Sequence, residues 1–119
     1  MFGNVLQGLV EGTGGGIGAV LMGYDGIPVA QFFRPTQGPD LQLMAVEYTN
    51  ILKEIRTAAE ILDIGRTEEV AIRTERYLLV LRTLTDDYFV ALTLERDGNF
   101  GKGRYLLQRD ASVLRDALA

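Results

Sequence analysis

From Ile17 to Met22 the chain reads Ile-Gly-Ala-Val-Leu-Met, with no polar side chain at either odd or even positions. A strand with one wet face alternates apolar and polar residues; a run apolar on both faces belongs to a central strand covered above and below. The remaining elements must therefore supply an apolar layer on each side of a sheet, which narrows the architecture to helices packed on both faces.

The sequence contains such elements. Phe2, Val5, Leu6, Leu9 and Val10 recur at i, i+3, i+4, i+7 and i+8, predicting a short amphipathic helix ended by the glycines at 12 and 14–16. After Met22, Tyr24-Asp25-Gly26 is a hairpin signal, and Pro28 to Phe33 reads as the returning strand. A loop is expected over Arg34–Pro39, and Asp40 is placed to cap a long helix running to about Asp63. In that helix Leu41, Met44, Ala45, Tyr48, Ile51, Leu52, Ile55, Ala58, Ala59 and Leu62 fill an arc of roughly 140°. Gly65 is expected to close it. Three short strands follow at Glu68–Thr74, Tyr77–Leu84 and Tyr88–Glu95, joined tightly enough for antiparallel hairpins. Asn99 then caps a final helix with a stripe of Phe100, Leu107, Ala111, Leu114 and Leu118, in which Gly101 and Gly103 would allow a close approach to the sheet. The order α-β-β-α-β-β-β-α predicts one domain over residues 1–119. It is an α/β (α+β) sandwich: a five-stranded, mostly antiparallel sheet with the long helix on one face and two shorter helices on the other.

Composition limits the chemistry. The chain has neither cysteine nor histidine, which removes disulfides, thiolate nucleophiles, the commonest general base and the commonest metal ligands. A net charge of −4 with dispersed basic residues argues against nucleic acid and anionic membrane surfaces as partners. No apolar stretch approaches the ~18 residues of a membrane span, and Met1–Val10 lacks the basic start of a secretory signal, so the expected location is the cytoplasm. The motifs that suggest ligands have simpler explanations. Gly14 to Ala19 fits the loose glycine pattern of dinucleotide sites, yet a helix precedes it and a strand follows, the reverse of what a pyrophosphate needs; a flexible turn is expected instead. Gly98-Asn99-Phe100-Gly101-Lys102 lacks the spacing of a phosphate loop, and Asp86-Asp87 reads as a solvated turn. No catalytic residue, cofactor or metal is expected.

The strand Glu68–Thr74 is the exception. Val70 and Ile72 alternate with Glu69 and Arg73, which marks a sheet edge without proline to blunt it. Two copies paired edge to edge would continue the sheet and lay their long helices side by side as an isologous dimer. The expected contact residues are Tyr48, Ile51, Leu52, Ile55, Arg56, Ala58, Ala59 and Leu62 on the helix, with Val70, Ile72 and Arg73 on the strand. Arg56 and Arg73 fit the rim of such a contact, although an ordinary solvated arginine is the commoner case for each.

An ordered set of segments carries a resemblance to a known family. These are Gly18-Ala19-Val20-Leu21, Asp25-Gly26-Ile27-Pro28-Val29-Ala30, Tyr77-Leu78-Leu79-Val80, Phe89-Val90-Ala91-Leu92 and Asn99-Phe100-Gly101-Lys102-Gly103-Arg104-Tyr105. With the long helix between them, they make the chain from Val5 to about Ala117 resemble the roadblock family, which comprises dynein light-chain roadblock proteins and bacterial gliding-motility regulators (MglB/MglC-like). The resemblance implies a profilin-like roadblock sandwich that dimerises through the long helix and its edge strand into a ten-stranded sheet. It also implies a non-enzymatic platform for a Ras-like small GTPase or for another roadblock protein. MglB-type relatives stimulate their GTPase directly, whereas MglC-type relatives are adaptors; the absence of an extended tail after Ala119 favours the adaptor. A direct GTPase activator and a small-ligand sensor, or an enzyme using carboxylates, remain the alternatives.

Overall fold

The computed structural model describes residues 1–35 and 40–119. Its elements are α1 (Phe2–Gly12), β1 (Gly16–Gly23), β2 (Pro28–Phe33), α2 (Leu41–Leu62), β3 (Glu69–Arg73), β4 (Tyr77–Thr83), β5 (Tyr88–Glu95) and α3 (Phe100–Leu118). Of the loop expected over Arg34–Pro39, residues 36–39 lie outside the described residues. The five strands form one antiparallel sheet in the order β2-β1-β5-β4-β3. β1 lies between β2 and β5 with every residue buried, as its unbroken apolar run requires.

Strand parity divides the core into two layers. Ala19, Leu21, Leu78, Val80, Val90 and Leu92 face α1 and α3, which contribute Leu6, Leu9, Leu107 and Leu114. Val20, Met22, Leu79, Leu81, Phe89 and Ala91 face α2, which contributes Ala45, Tyr48 and Leu52. The β1–β2 hairpin turns on Asp25 and Gly26: Asp25 Oδ1 accepts from the Ile27 N–H at 3.0 Å, and Gly26 takes φ +86°. At the start of α2, Asp40 Oδ1 accepts from the N–H groups of Gln42 and Leu43 (3.1 and 3.0 Å), and Asn99 caps α3 in the same way through Lys102 N–H.

Two local expectations are corrected. α2 is closed by Asp63, not Gly65: Asp63 adopts the left-handed conformation (φ 53°) and gives its N–H to Ala59 and Glu60, while Ile64 N–H also bonds Ala59 O. Aspartate is among the few non-glycine residues that tolerate this conformation. Of the two glycines of α3, only Gly103 meets the sheet. A Cβ there would lie 3.1 Å from Leu92, whereas one at Gly101 would point into open space. β3 and β4 are each slightly shorter than expected, although Glu68 and Thr74 still bond across to Thr83 and Tyr77.

One polar bond inside the α2 layer joins Tyr48 and Thr93, whose hydroxyls lie 2.6 Å apart and are both buried. Burial pushes the Tyr48 phenol from 10.0 up to about 12, opposed by the bond to Thr93. Because the folded value is the higher, the unfolded chain ionises first: Tyr48's contribution is fully present below pH ~10 and is lost as pH rises through the folded value, by roughly 2–3 kcal/mol. Tyr48→Phe should therefore flatten the alkaline limb of the stability curve measured by urea unfolding. At neutral pH it should cost about 1–3 kcal/mol, because the Thr93 hydroxyl is left buried without a partner.

Candidate functional site

α2 lies lengthwise over β1. Leu41 approaches Gly18 at its start, the Thr49 hydroxyl reaches Met22 Sδ at 3.1 Å, and the Arg56 guanidinium stacks 4.1 Å over the Tyr24 ring. Arg56 also donates to Asp86 O at 3.3 Å. Thr49 and Arg56 fall on one flank of the helix. At 100° per residue, Ile51, Ile55, Ala58 and Leu62 fall on the other, turned toward β4 and β3. Among the described residues, no second helix accompanies α2 on that side of the sheet. Ile51, Ile55, Val70 and Ile72 are only half-buried, Ala58 is exposed, and Leu62 keeps 66% of its surface in water. Ile61 and Ile64, at the end of α2 and just beyond it, are also exposed, at 78% and 72%.

β3 forms the adjoining border of the sheet. Thr83 N–H bonds Glu68 O and Thr74 N–H bonds Tyr77 O, so in this antiparallel ladder the hydrogen-bonded positions are 68, 70, 72 and 74. The N–H and C=O groups of Glu69, Ala71 and Arg73 accordingly point away from β4. Among the described residues, the edge thus offers a row of unpaired backbone groups beneath an apolar shelf.

The eleven residues expected at a partner contact fall into separate places. Ile51, Ile55, Ala58, Leu62, Val70 and Ile72 form the single flank just described. Tyr48, Leu52 and Ala59 do not belong to its surface: at 5%, 1% and 9% exposure they are closed off within the subunit, because the inner half of the α2 stripe rests on the chain's own sheet. Arg56 lies on the far flank, held by Tyr24 and Asp86. Strand parity sends Arg73 to the α3 face, where its guanidinium sits 5.6 Å from the centre of the Phe100 ring. Sequence reasoning passed over Ile61 and Ile64, and also Glu69, which pairs with Arg82 and Arg104 on the α3 face. A half-open cavity of about 900 Å³ lies beside the β4–β5 turn, under the α2–β3 connection. Arg56, Arg66, Arg82 and Arg115 line it together with Glu60, Asp63, Glu68 and Asp86. Among the described residues, no three acidic side chains lie close enough together to hold a metal ion. Among the described residues, no helix is long and apolar enough to cross a membrane.

The chain is 40% identical to MglC from Myxococcus xanthus over 98% of both chains, with a TM-score of 0.71. It belongs to the roadblock family. Within the family it falls in the MglB/MglC-like branch. Roadblock architecture is shared with a Roadblock/LC7 domain from Streptomyces avermitilis at 21% identity (98% and 96% coverage, TM-score 0.85). It is also shared with the gliding protein MglB from Thermus thermophilus at 20% identity (95% and 84% coverage, TM-score 0.84). No protein-family model and no curated protein matches this roadblock chain.

Proposed function

We propose that this roadblock chain is a non-catalytic homodimeric adaptor that binds and regulates a Ras-like small GTPase or its regulatory complex, in bacterial cell polarity or motility. The observation that carries it is the unfinished flank of α2 and β3. Half-buried Ile51, Ile55, Val70 and Ile72 border free backbone groups, and a second subunit would cover both at once. A partner α2 laid against that flank, with the two β3 edges paired, would join the sheets into one of ten strands. The 40% identity to MglC and the shared architecture of the gliding protein MglB suggest the circuit. The higher identity to MglC than to MglB favours an adaptor over a direct activator.

Two measurements test this. The mass in solution at micromolar concentration should be twice the 13.1 kDa of one chain. A Ras-like GTPase from the same genome should bind the dimer while its rate of phosphate release stays unchanged. Accelerated release would replace the adaptor by an activator, and absence of binding would remove the GTPase from the account.

A further inference from the structure

We infer that the two β3 edges of the proposed dimer meet in one register: Ala71 opposite Ala71 of the other copy, and Glu69 opposite its Arg73. The register presupposes the dimer proposed above and specifies what selects it.

The outward-pointing backbone groups of β3 belong to Glu69, Ala71 and Arg73. A symmetric antiparallel pairing must set outward positions against outward positions. Only the arrangement centred on Ala71 pairs all three at once; sliding the strands by one step to centre on Val70 or Ile72 leaves an end unpaired. The side chains favour the same solution. β3 reads Glu-Val-Ala-Ile-Arg, with an acid and a base at mirrored places around a small central residue. Antiparallel pairing about Ala71 brings each Glu69 against the other copy's Arg73, on the α3 face. On the α2 face it sets each Val70 against an Ile72, continuing the apolar shelf. Opposite charges facing each other across strands stabilise a pairing and like charges weaken it. A strand whose charges mirror each other in this way fits its own copy and rejects an edge with the charges placed alike. Ala71 is exposed in the single subunit, and its small side chain lets two strands meet at the two-fold axis without obstruction.

Exchange of charges tests the register. Glu69→Lys alone sets a lysine against Arg73 twice in a dimer, and Arg73→Glu alone sets a glutamate against Glu69 twice. Each should self-associate roughly tenfold or more weakly than the unaltered chain. Mixed together, the two variants restore an opposite-charge pair at both ends of the ribbon: the introduced lysine meets the introduced glutamate, and the retained Arg73 meets the retained Glu69. Dimerisation should then return as a heterodimer, read by native mass spectrometry of one isotope-labelled partner. Glu69 also holds Arg82 and Arg104 within the subunit, so thermal melts of each variant check that the fold is intact. A second test leaves these charges in place. The chain has no cysteine, so Ala71→Cys puts one thiol on the axis with Cα atoms about 5.5 Å apart, within disulfide reach. Oxidation should give a covalent dimer, whereas Arg73→Cys, with its twin roughly 14 Å away, should not. An unaltered chain that stays monomeric overturns the dimer and the register together. The register alone is overturned by an unaltered dimer whose single charge variants associate normally, whose mixture shows no rescue, or whose Ala71→Cys variant fails to cross-link.

Discussion

Ile72→Asp should convert the dimer to a monomer at micromolar concentration. Ile72 sits on the α2 face of the edge strand, half-buried in one subunit and set against Leu79 of β4. In a lone subunit the new carboxylate reaches water along the open edge. In a dimer it would lie under two helices with no cation on its face, and an uncompensated buried charge costs about 3 kcal/mol or more. Two-fold symmetry imposes that cost twice, which corresponds to roughly 10⁴-fold weaker association. Sedimentation velocity across a concentration series reads the change, and circular dichroism checks the subunit. Ile72→Val, which keeps the shelf apolar, should remain dimeric. Ala58→Glu should reproduce the loss from the helix side, because Ala58 is exposed in the single chain. Ala59→Glu should behave differently: with 9% exposure, Ala59 is part of the subunit's own packing, so the melting temperature should fall before any effect on association is seen. A persistent Ile72→Asp dimer would place the contact elsewhere.

The contrast between Ala58 and Ala59 marks what periodicity can and cannot tell. The 3.6-residue repeat of α2 was legible, and Ala45, Tyr48, Leu52 and Ala59 are buried as it requires. The repeat yields one broad stripe, however, and the division of that stripe between the chain's own sheet and an open flank depends on where the helix rests. Its position over β1 comes from side-chain contacts distant in sequence, such as Thr49 with Met22 and Arg56 with Tyr24. The edge position of β3 could be read from its polarity, since a strand between two neighbours on both sides would not carry Glu69 and Arg73 on one face. Parity alone also separates Arg73 from Val70 and Ile72. Nothing local separates Arg56 from Ile55, one residue away but on the other flank. The left-handed Asp63 was hidden for a different reason: Gly65 nearby is the better residue for that conformation, and it too takes a positive φ, of 96°.

Gly15→Ala should destabilise the subunit by about 3 kcal/mol or more and lower its melting temperature by roughly 10 °C. The run Gly14-Gly15-Gly16 suggested a merely flexible turn, but the structure makes it a joint between two backbones. Gly15 holds φ +81°, and a Cβ there would lie 2.6 Å from the Gly98 Cα. Backbone, unlike the tip of a side chain, cannot swing aside. Moving it apart strains two bonds that tie the turn to the end of β5 and the start of α3: Glu95 N–H to Gly15 O at 2.8 Å and Asn99 N–H to Gly14 O at 2.7 Å. Asn99 is the residue that caps α3, so the disturbance reaches the helix entry as well. Gly26→Ala separates the two causes. Gly26 has a similar φ of +86°, but a Cβ there meets nothing within 4 Å, so it should lose only the ~1 kcal/mol of an unfavourable left-handed conformation. Urea unfolding of both variants then isolates the steric part as the difference between them. Equal losses would mean that the contact with Gly98 contributes nothing and that both glycines are needed for backbone conformation alone.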